Sequence, residues 1–246
     1  MPKAVLALGA TSAIAEATLR ILAERGASFY LVARSQEKLD AVCADLLMRG
    51  ASGVVTRVMD LNDTAGHAAM LTAAAQSLGT IEMALLAHGI LGCQSESQSS
   101  YSAAEAVFHT NFLSAVSLIT WLANYFESTK QGTLAVISSV AGDRGRKSNY
   151  VYGASKGALS IFLDGLRNRL DPAGVQVLTI KPGFVATPMT AHLAQGQLFA
   201  RPSQVARGIV KAIERRRDVV YLPAFWGPIM LVTRAIPRAI FKKVNV

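Results

Sequence analysis

The chain has 246 residues, enough for one large α/β domain. Apolar residues make up 51% and charged residues 17%, which excludes wholesale disorder and supports a sizeable core. The net charge of +9 is concentrated at one end, with 15 Lys/Arg against 14 Asp/Glu in residues 1–199 and 10 against 2 in residues 200–246, a basic surface suited to phosphate, a membrane or nucleic acid.

The first apolar run, "AVLAL" (4–8), reads as a buried strand. Its flank "MPKAVLALGA" has one basic residue and a run too short for a secretory leader. Helical periodicity follows in "SAIAEATLRILAERG", then a strand in "SFYLVA" (28–33) and a helix in "SQEKLDAVCADLLMRG". "GVVTRVMDL" (53–61) is the third strand, "TAGHAAMLTAAAQSLG" the next helix and "MALLAHG" (83–89) the fourth strand. A helical pattern of about 28 residues, "SAAEAVFHTNFLSAVSLITWLANYFEST", leads to the strand "TLAVISS" (133–139). "YGASKGALSIFLDGLRNRLDPAG" precedes the strand "VQVLTIKPG" (175–183), and "VVYLP" (219–223) is the seventh. Gly26, Gly50, Gly79 and Gly174 stand at plausible helix ends. Such alternation builds a parallel sheet with helices on both faces.

No stretch approaches the roughly 20 uninterrupted apolar residues of a membrane-spanning helix, so a cytoplasmic location is expected. Cys43 and Cys93 show no CxxC spacing and no histidine partner at ligand distance. They read as thiols in a reducing compartment, and no metal site is expected.

Gly9, Asp60, Gly89, Ser139 and Pro182-Gly183 all fall at or just past predicted strand ends. Sheets of this type bind ligands beyond the carboxyl ends of their strands, so these positions share one rim. "NYVYGASKGA" sets Tyr152 and Lys156 four residues apart, on one face of a helix. An ammonium beside a phenol favours the phenolate and lowers its pKa. Ser139, thirteen residues before the tyrosine, adds a hydroxyl able to share a carbonyl oxygen with that phenol. Tyr150 has no lysine four residues on and reads as a bystander.

Together with "LALGATSAIA", this order of motifs resembles the classical short-chain dehydrogenase/reductase family, from about Lys3 to Pro223. The resemblance implies a Rossmann-type doubly wound, seven-stranded parallel sheet in three α/β/α layers. It implies a catalytic domain over 1–223, with 224–246 as an extension of it. It further implies an NAD(P)-dependent oxidoreductase acting on a ketone or its alcohol, assembled as a homodimer or homotetramer. In that scheme Tyr152 donates the proton, while Lys156 lowers its pKa and bonds the nicotinamide ribose. Ser139 stabilises the developing alkoxide, and the backbone carbonyl of Asn111, in "HTNFLSA", holds a water that joins the lysine to solvent.

The glycine loop is less regular. "GATSAIA" stands where the family shows T-G-x-x-x-G-x-G: Gly9 matches, while Leu8, Ala13 and Ala15 depart. Gly9, Thr11, Ser12, Ala13 and Ile14 are expected to hold a slightly displaced pyrophosphate. Ala33 occupies the place of the acidic residue that selects NAD(H), and Arg34 follows it, which favours NADP(H) over NAD(H). No second basic residue stands at Ser12. By resemblance Asp60 and Leu61 meet the adenine, Gly89 lines the cofactor, and Pro182, Gly183, Val185 and Thr187 of "KPGFVATP" clamp the nicotinamide amide. "LLAHG" replaces N-N-A-G, and His88 reads as structural or cofactor-lining.

After the last strand comes "AFWGPIMLVTRAIPRAIFKKVNV", in which large apolar residues alternate with Arg234, Arg238, Lys242 and Lys243. Pro228 and Pro237 are expected to break it into two short helices. It reads either as a cap on the cleft or a subunit contact, or as an interfacial segment that touches the inner face of a membrane peripherally. This ending resembles, more loosely, the reductases of keto-pentose sugars attached to polyprenyl phosphate. A lipid-linked carbonyl substrate is the corresponding expectation, with lipid, steroid or small-molecule carbonyl reduction and a non-catalytic dinucleotide sensor as alternatives. No nucleic-acid motif accompanies the basic tail.

Overall fold

In the computed structural model, which describes residues 1–191, 193–194 and 196–243, alternate residues of the first strand enter two separate cores. In β1 (Ala4–Leu8), Val5 and Ala7 face one side of the sheet, and Leu6 and Leu8 face the other. A strand buried on both faces must be apolar throughout, and all five residues are buried.

Six further strands complete the sheet: β2 (Ser28–Ala33), β3 (Gly53–Val58), β4 (Met83–Leu86), β5 (Thr133–Ile137), β6 (Gln176–Pro182) and β7 (Val219–Leu222). All neighbours pair parallel, in the order β3-β2-β1-β4-β5-β6-β7. The order reverses between β1 and β4, and the rim there is the ligand crevice of a doubly wound sheet. One face is covered by α1 (Ala13–Ala23), α2 (Gln36–Met48) and α8 (Pro202–Glu214), whose Leu19, Leu39 and Ile209 are fully buried. The other face carries α3 (His67–Leu78), α6 (Ser114–Thr129) and α7 (Tyr150–Leu170), packed through Leu71, Phe126 and Leu163.

The expected 28-residue helix is divided. It comprises α5 (Tyr101–Phe108), a π turn at His109–Leu113, and α6; the short α4 (Gln94–Ser97) precedes it. The run 101–129 is long and apolar enough to cross a membrane, yet Leu118, Ile119, Leu122 and Phe126 are committed to the core. α8 has no counterpart among the helices read from sequence. Pro202 opens it at a position where a missing N–H costs nothing, and Val205, Ile209, Val210 and Ile213 form its buried face.

The tail forms α9 (Trp226–Ala235) and α10 (Arg238–Phe241). Only Pro237 separates helices here. Pro228 lies inside the first turn of α9, where no intrahelical donor is required, so the expected break at Pro228 does not occur. The last three residues of the 224–246 segment lie outside the described residues.

Candidate active site

The strand ends β1, β4, β5 and β6 open onto a cleft of about 1890 Å³. Gly9, Thr11, Ser12, Ala13, Ile14, Arg34, Asp60, Leu61 and Gly89 line it together with Ser139, Tyr152, Lys156, Pro182, Gly183, Val185 and Thr187. Of the expected catalytic and cofactor-binding residues, Asn111 alone is not on the cleft wall; it is buried behind it.

At one end, the turn after β1 is fixed by its glycine. Gly9 has φ +81°, and a Cβ there would lie 2.6 Å from the backbone nitrogen of His88. Glycine is required both for the left-handed backbone and for the approach of the loop after β4. Ser12 caps α1 without a side-chain hydrogen bond and its own N–H donates to the Gly9 carbonyl at 3.0 Å, so the first-turn N–H groups of Ala13 and Ile14 are the donors left at the cleft. Free donors at the positive end of a helix suit a pyrophosphate. Arg34 is exposed at the same end, and Lys38 of α2 also lines the cleft. A second basic group is therefore present, on a different element from Ser12. Asp60 accepts the N–H of Asn62 at 3.0 Å, which orients its carboxylate.

At the other end, Ser139 starts a tight turn, Val140–Asp143, and its Oγ accepts the N–H of Ala141 at 3.1 Å. Tyr152 and Lys156 project from the first turns of α7. Lys156 is buried, and its Nζ donates to the carbonyl of Ile137 at 3.0 Å. Burial depresses this amine to about 8. The Tyr152 phenol is raised above its ordinary value, because burial outweighs the opposing influence of the Ser139 hydroxyl. This runs against the lowering expected from Lys156, because burial is the largest influence on the phenol.

The side chain of Asn111 is fully engaged. Its Oδ1 accepts the N–H of Ile90 at 2.8 Å, and its Nδ2 donates to the Ile90 carbonyl and to Ser155 Oγ. The loop after β4 is thereby tied to α7. A Cβ at Gly89 would meet Asn111 Oδ1 at 2.9 Å and Lys156 Nζ at 3.4 Å, so the glycine admits both groups. His88 pairs its Nε2 with Ser114 Oγ at 2.9 Å and is held neutral, its pKa pushed down to about 3 first by burial and then by Lys156.

The tail roofs this second end. Trp226, Ile229, Met230, Thr233, Ile236 and Phe241 line the cleft, and Trp226 and Met230 pack on Val140 beside Phe184 and Tyr221. Arg144 fastens the roof. Its Nη1 donates to the carbonyls of Thr233 at 2.5 Å and Arg234 at 2.9 Å, and its guanidinium lies 3.8 Å from the ring centre of Phe241. Asp143 next to it accepts from Lys181 Nζ at 2.6 Å and from the Tyr221 hydroxyl at 2.7 Å. Arg144 and Asp143 escape a motif-based reading. The basic run that follows Ser139, "GDRGRK", is the only sequence signal for them.

A family model described as short chain dehydrogenase matches residues 3–198. An uncharacterized oxidoreductase of Mycobacterium tuberculosis (strain H37Rv) is 36% identical over 240 residues, covering 98% of this chain and 96% of its own. Among solved structures, levodione reductase superposes with a TM-score of 0.82 at 23% identity, covering 89% of this chain and 95% of that one. A short-chain dehydrogenase from Sphingobium yanoikuyae in complex with NADPH gives 0.81 at 22% identity, over 97% and 98% of the two chains. At these identities the two solved structures bear on the fold.

Proposed function

The chain belongs to the short-chain dehydrogenase family, an NAD(P)-dependent oxidoreductase, and from that premise we propose that it reduces a ketone carried on a lipid-like molecule, with NADP(H) preferred. The observation that carries the reading is the convergence of Ser139, Tyr152 and Lys156 in one cleft that also holds the Gly9 turn. The nicotinamide cofactor, when bound, supplies the hydride. The Tyr152 phenol, protonated at neutral pH as any tyrosine is, donates a proton to the substrate oxygen. Ser139 Oγ donates a hydrogen bond to the same oxygen and stabilises its developing charge. The Lys156 ammonium holds the ribose end of the cofactor and returns a proton to Tyr152. Asn111 positions the loop after β4 against α7.

The NADP(H) preference is supported by Arg34 and Lys38 on the nucleotide end and by Ala33 in place of a carboxylate. The NADPH held by the Sphingobium relative points the same way. The lipid-like substrate is supported by the apolar roof that residues 224–243 contribute to the domain, and a keto sugar on polyprenyl phosphate is its narrowest form. The outer side of α9 and α10 exposes Leu231, Val232 and Ile240 near Arg234, Arg238 and Lys242, a composition suited to an anionic bilayer.

The test is NADPH oxidation with ketones of increasing chain length, alongside sedimentation with anionic liposomes at low and high salt. Falling KM with chain length and salt-sensitive sedimentation, lost on truncation after Pro223, are expected. Turnover limited to short ketones, with no sedimentation, leaves a small-molecule carbonyl reductase and ends the lipid reading.

A further inference from the structure

Three basic residues follow Ser139 in the segment that leads to α7, and they have different fates. Arg144 is consumed by the tail carbonyls, and Lys147 is exposed to solvent. Arg146 is half-buried on the cleft wall, and among the described residues no carboxylate or hydrogen-bond acceptor engages its guanidinium. Burial pushes that guanidinium below its ordinary pKa, with no neighbouring charge to offset the cost. A desolvated cation kept without a counter-ion is expensive unless something else supplies the charge.

A second group points to the same occupant. Gln94, at the start of α4, accepts the N–H of Val151 through Oε1 at 3.1 Å. That bond fixes the orientation of the amide, since the NH2 group cannot accept. Its Nε2 is therefore the free end, and it is buried without a partner on the same cleft wall. Buried amide donors are almost always satisfied, so a lone one marks a place for an acceptor. Both groups flank the first turn of the 21-residue α7, whose unpaired N–H groups give that end partial positive charge. Tyr152 is in this turn. Asn149, whose own N–H donates to the Arg146 carbonyl at 3.1 Å, adds a buried Oδ1 with no donor, matched to a hydroxyl of the same molecule.

We propose that Arg146 and Gln94 form a subsite for an oxyanion borne by the substrate, a phosphate or a carboxylate, beside the turn that carries Tyr152. The inference rests on the proposed ketone reduction and adds to it the class of head group. The substrate then has two parts: an anionic head against Arg146, and an apolar body under Trp226, Ile229 and Met230. Guanidinium suits this task because its planar donors pair with two oxygens at once.

The experiment uses the full chain with NADPH and three ketone pairs. A 4-oxo-4-phenylbutanoate is compared with its methyl ester, dihydroxyacetone phosphate with dihydroxyacetone, and a long-chain 4-oxo acid with its ester. Turnover is followed by NADPH absorbance, and binding to the NADPH-loaded protein by Trp fluorescence. The anionic member is expected to bind at least about tenfold more tightly than its neutral partner, the scale of one charged hydrogen bond. In Arg146→Gln that ratio falls towards one, and Arg146→Lys recovers part of it. NADPH affinity and melting temperature show that each variant is folded. The carboxylate and phosphate arms tell which oxyanion the site takes. Arg146-dependent anion binding without turnover leaves the subsite standing and removes the ketone reductase reading. Equal binding of charged and neutral partners, no binding of any anionic ketone, or equal losses for both partners in Arg146→Gln overturns the subsite.

Discussion

Gly183 and Trp226 occupy one volume: a Cβ on Gly183 would lie 1.9 Å from the indole Nε1 of Trp226. The glycine just past β6 is thus the seat of the roof as well as part of the cleft wall. Gly183→Ala must push a rigid ring out of the position it shares with Val140 and Met230. Overpacking of this kind costs about 1–3 kcal/mol. We expect a lower melting temperature, red-shifted Trp emission and a raised KM for apolar ketones. An alanine variant with wild-type emission and KM shows that α9 does not depend on this contact.

Arg34→Ala is expected to weaken NADPH binding at least tenfold while changing NADH binding little, because only NADPH carries a 2′-phosphate. A charged hydrogen bond contributes about 1.5–3 kcal/mol. Lys38→Ala, on the next helix, is expected to show a smaller loss in the same direction, and titration calorimetry with both nucleotides measures each. Equal weakening of NADH and NADPH contradicts the assignment.

Asp143 receives both Lys181 and Tyr221, and its side chain is nearly inaccessible. Asp143→Ala leaves the Lys181 ammonium without its partner, which for a buried pair costs about 3–5 kcal/mol. The double variant Asp143→Ala with Lys181→Met removes the stranded charge, and denaturant midpoints are expected to recover part of the loss. The Tyr221 phenol, pushed up to about 12 by burial and then by Asp143, should return towards its ordinary value in Asp143→Ala. Ultraviolet titration of the phenols reads that change.

Lys156 carries a testable pH signature. Its amine lies at about 8 in the folded protein against an ordinary 10.5, so the unfolded chain binds more protons across that window. Stability contributed by this site therefore rises from pH 8 towards 10.5 and is lowest where the folded amine is charged. Tyr152 runs oppositely: its phenol is raised, so its contribution is whole below the ordinary tyrosine value and declines at higher pH. NMR of the Lys156 side chain in cofactor-free protein is expected to titrate near pH 8. A midpoint above pH 10 shows that the buried amine keeps its full charge.

The strands were legible because runs such as "AVLAL" and "TLAVI" are apolar on both faces, as a doubly covered sheet demands. The rim was legible for a related reason: Gly9, Gly89 and Ser139 interrupt those runs at their carboxyl ends. α8 was harder to read, because Arg207, Lys211 and Glu214 interleave with its apolar face and a 3.6-residue period hides among charges. The raised pKa of Tyr152 was not legible at all. Helical spacing placed Lys156 on the correct face, but the carbonyl of Ile137, 19 residues away in sequence, decides where the ammonium points. Arg144 and Arg146 differ for the same reason, since only the folded tail determines which of them has a partner.

In the proposed reaction Tyr152 supplies the proton for ketone reduction, in the same cleft that would take NADP(H). The most direct measurement is single-turnover NADPH oxidation by Tyr152→Phe with a ketone that the wild-type protein reduces, with NADPH affinity determined on the same sample. Loss of one hydroxyl leaves packing and cofactor contacts in place, and general acid catalysis contributes about 10²–10⁴-fold. A rate at least about 100-fold lower is expected, with NADPH affinity close to that of wild type. A variant that oxidises NADPH at the wild-type rate contradicts this role for Tyr152 and places the proton donor elsewhere in the cleft.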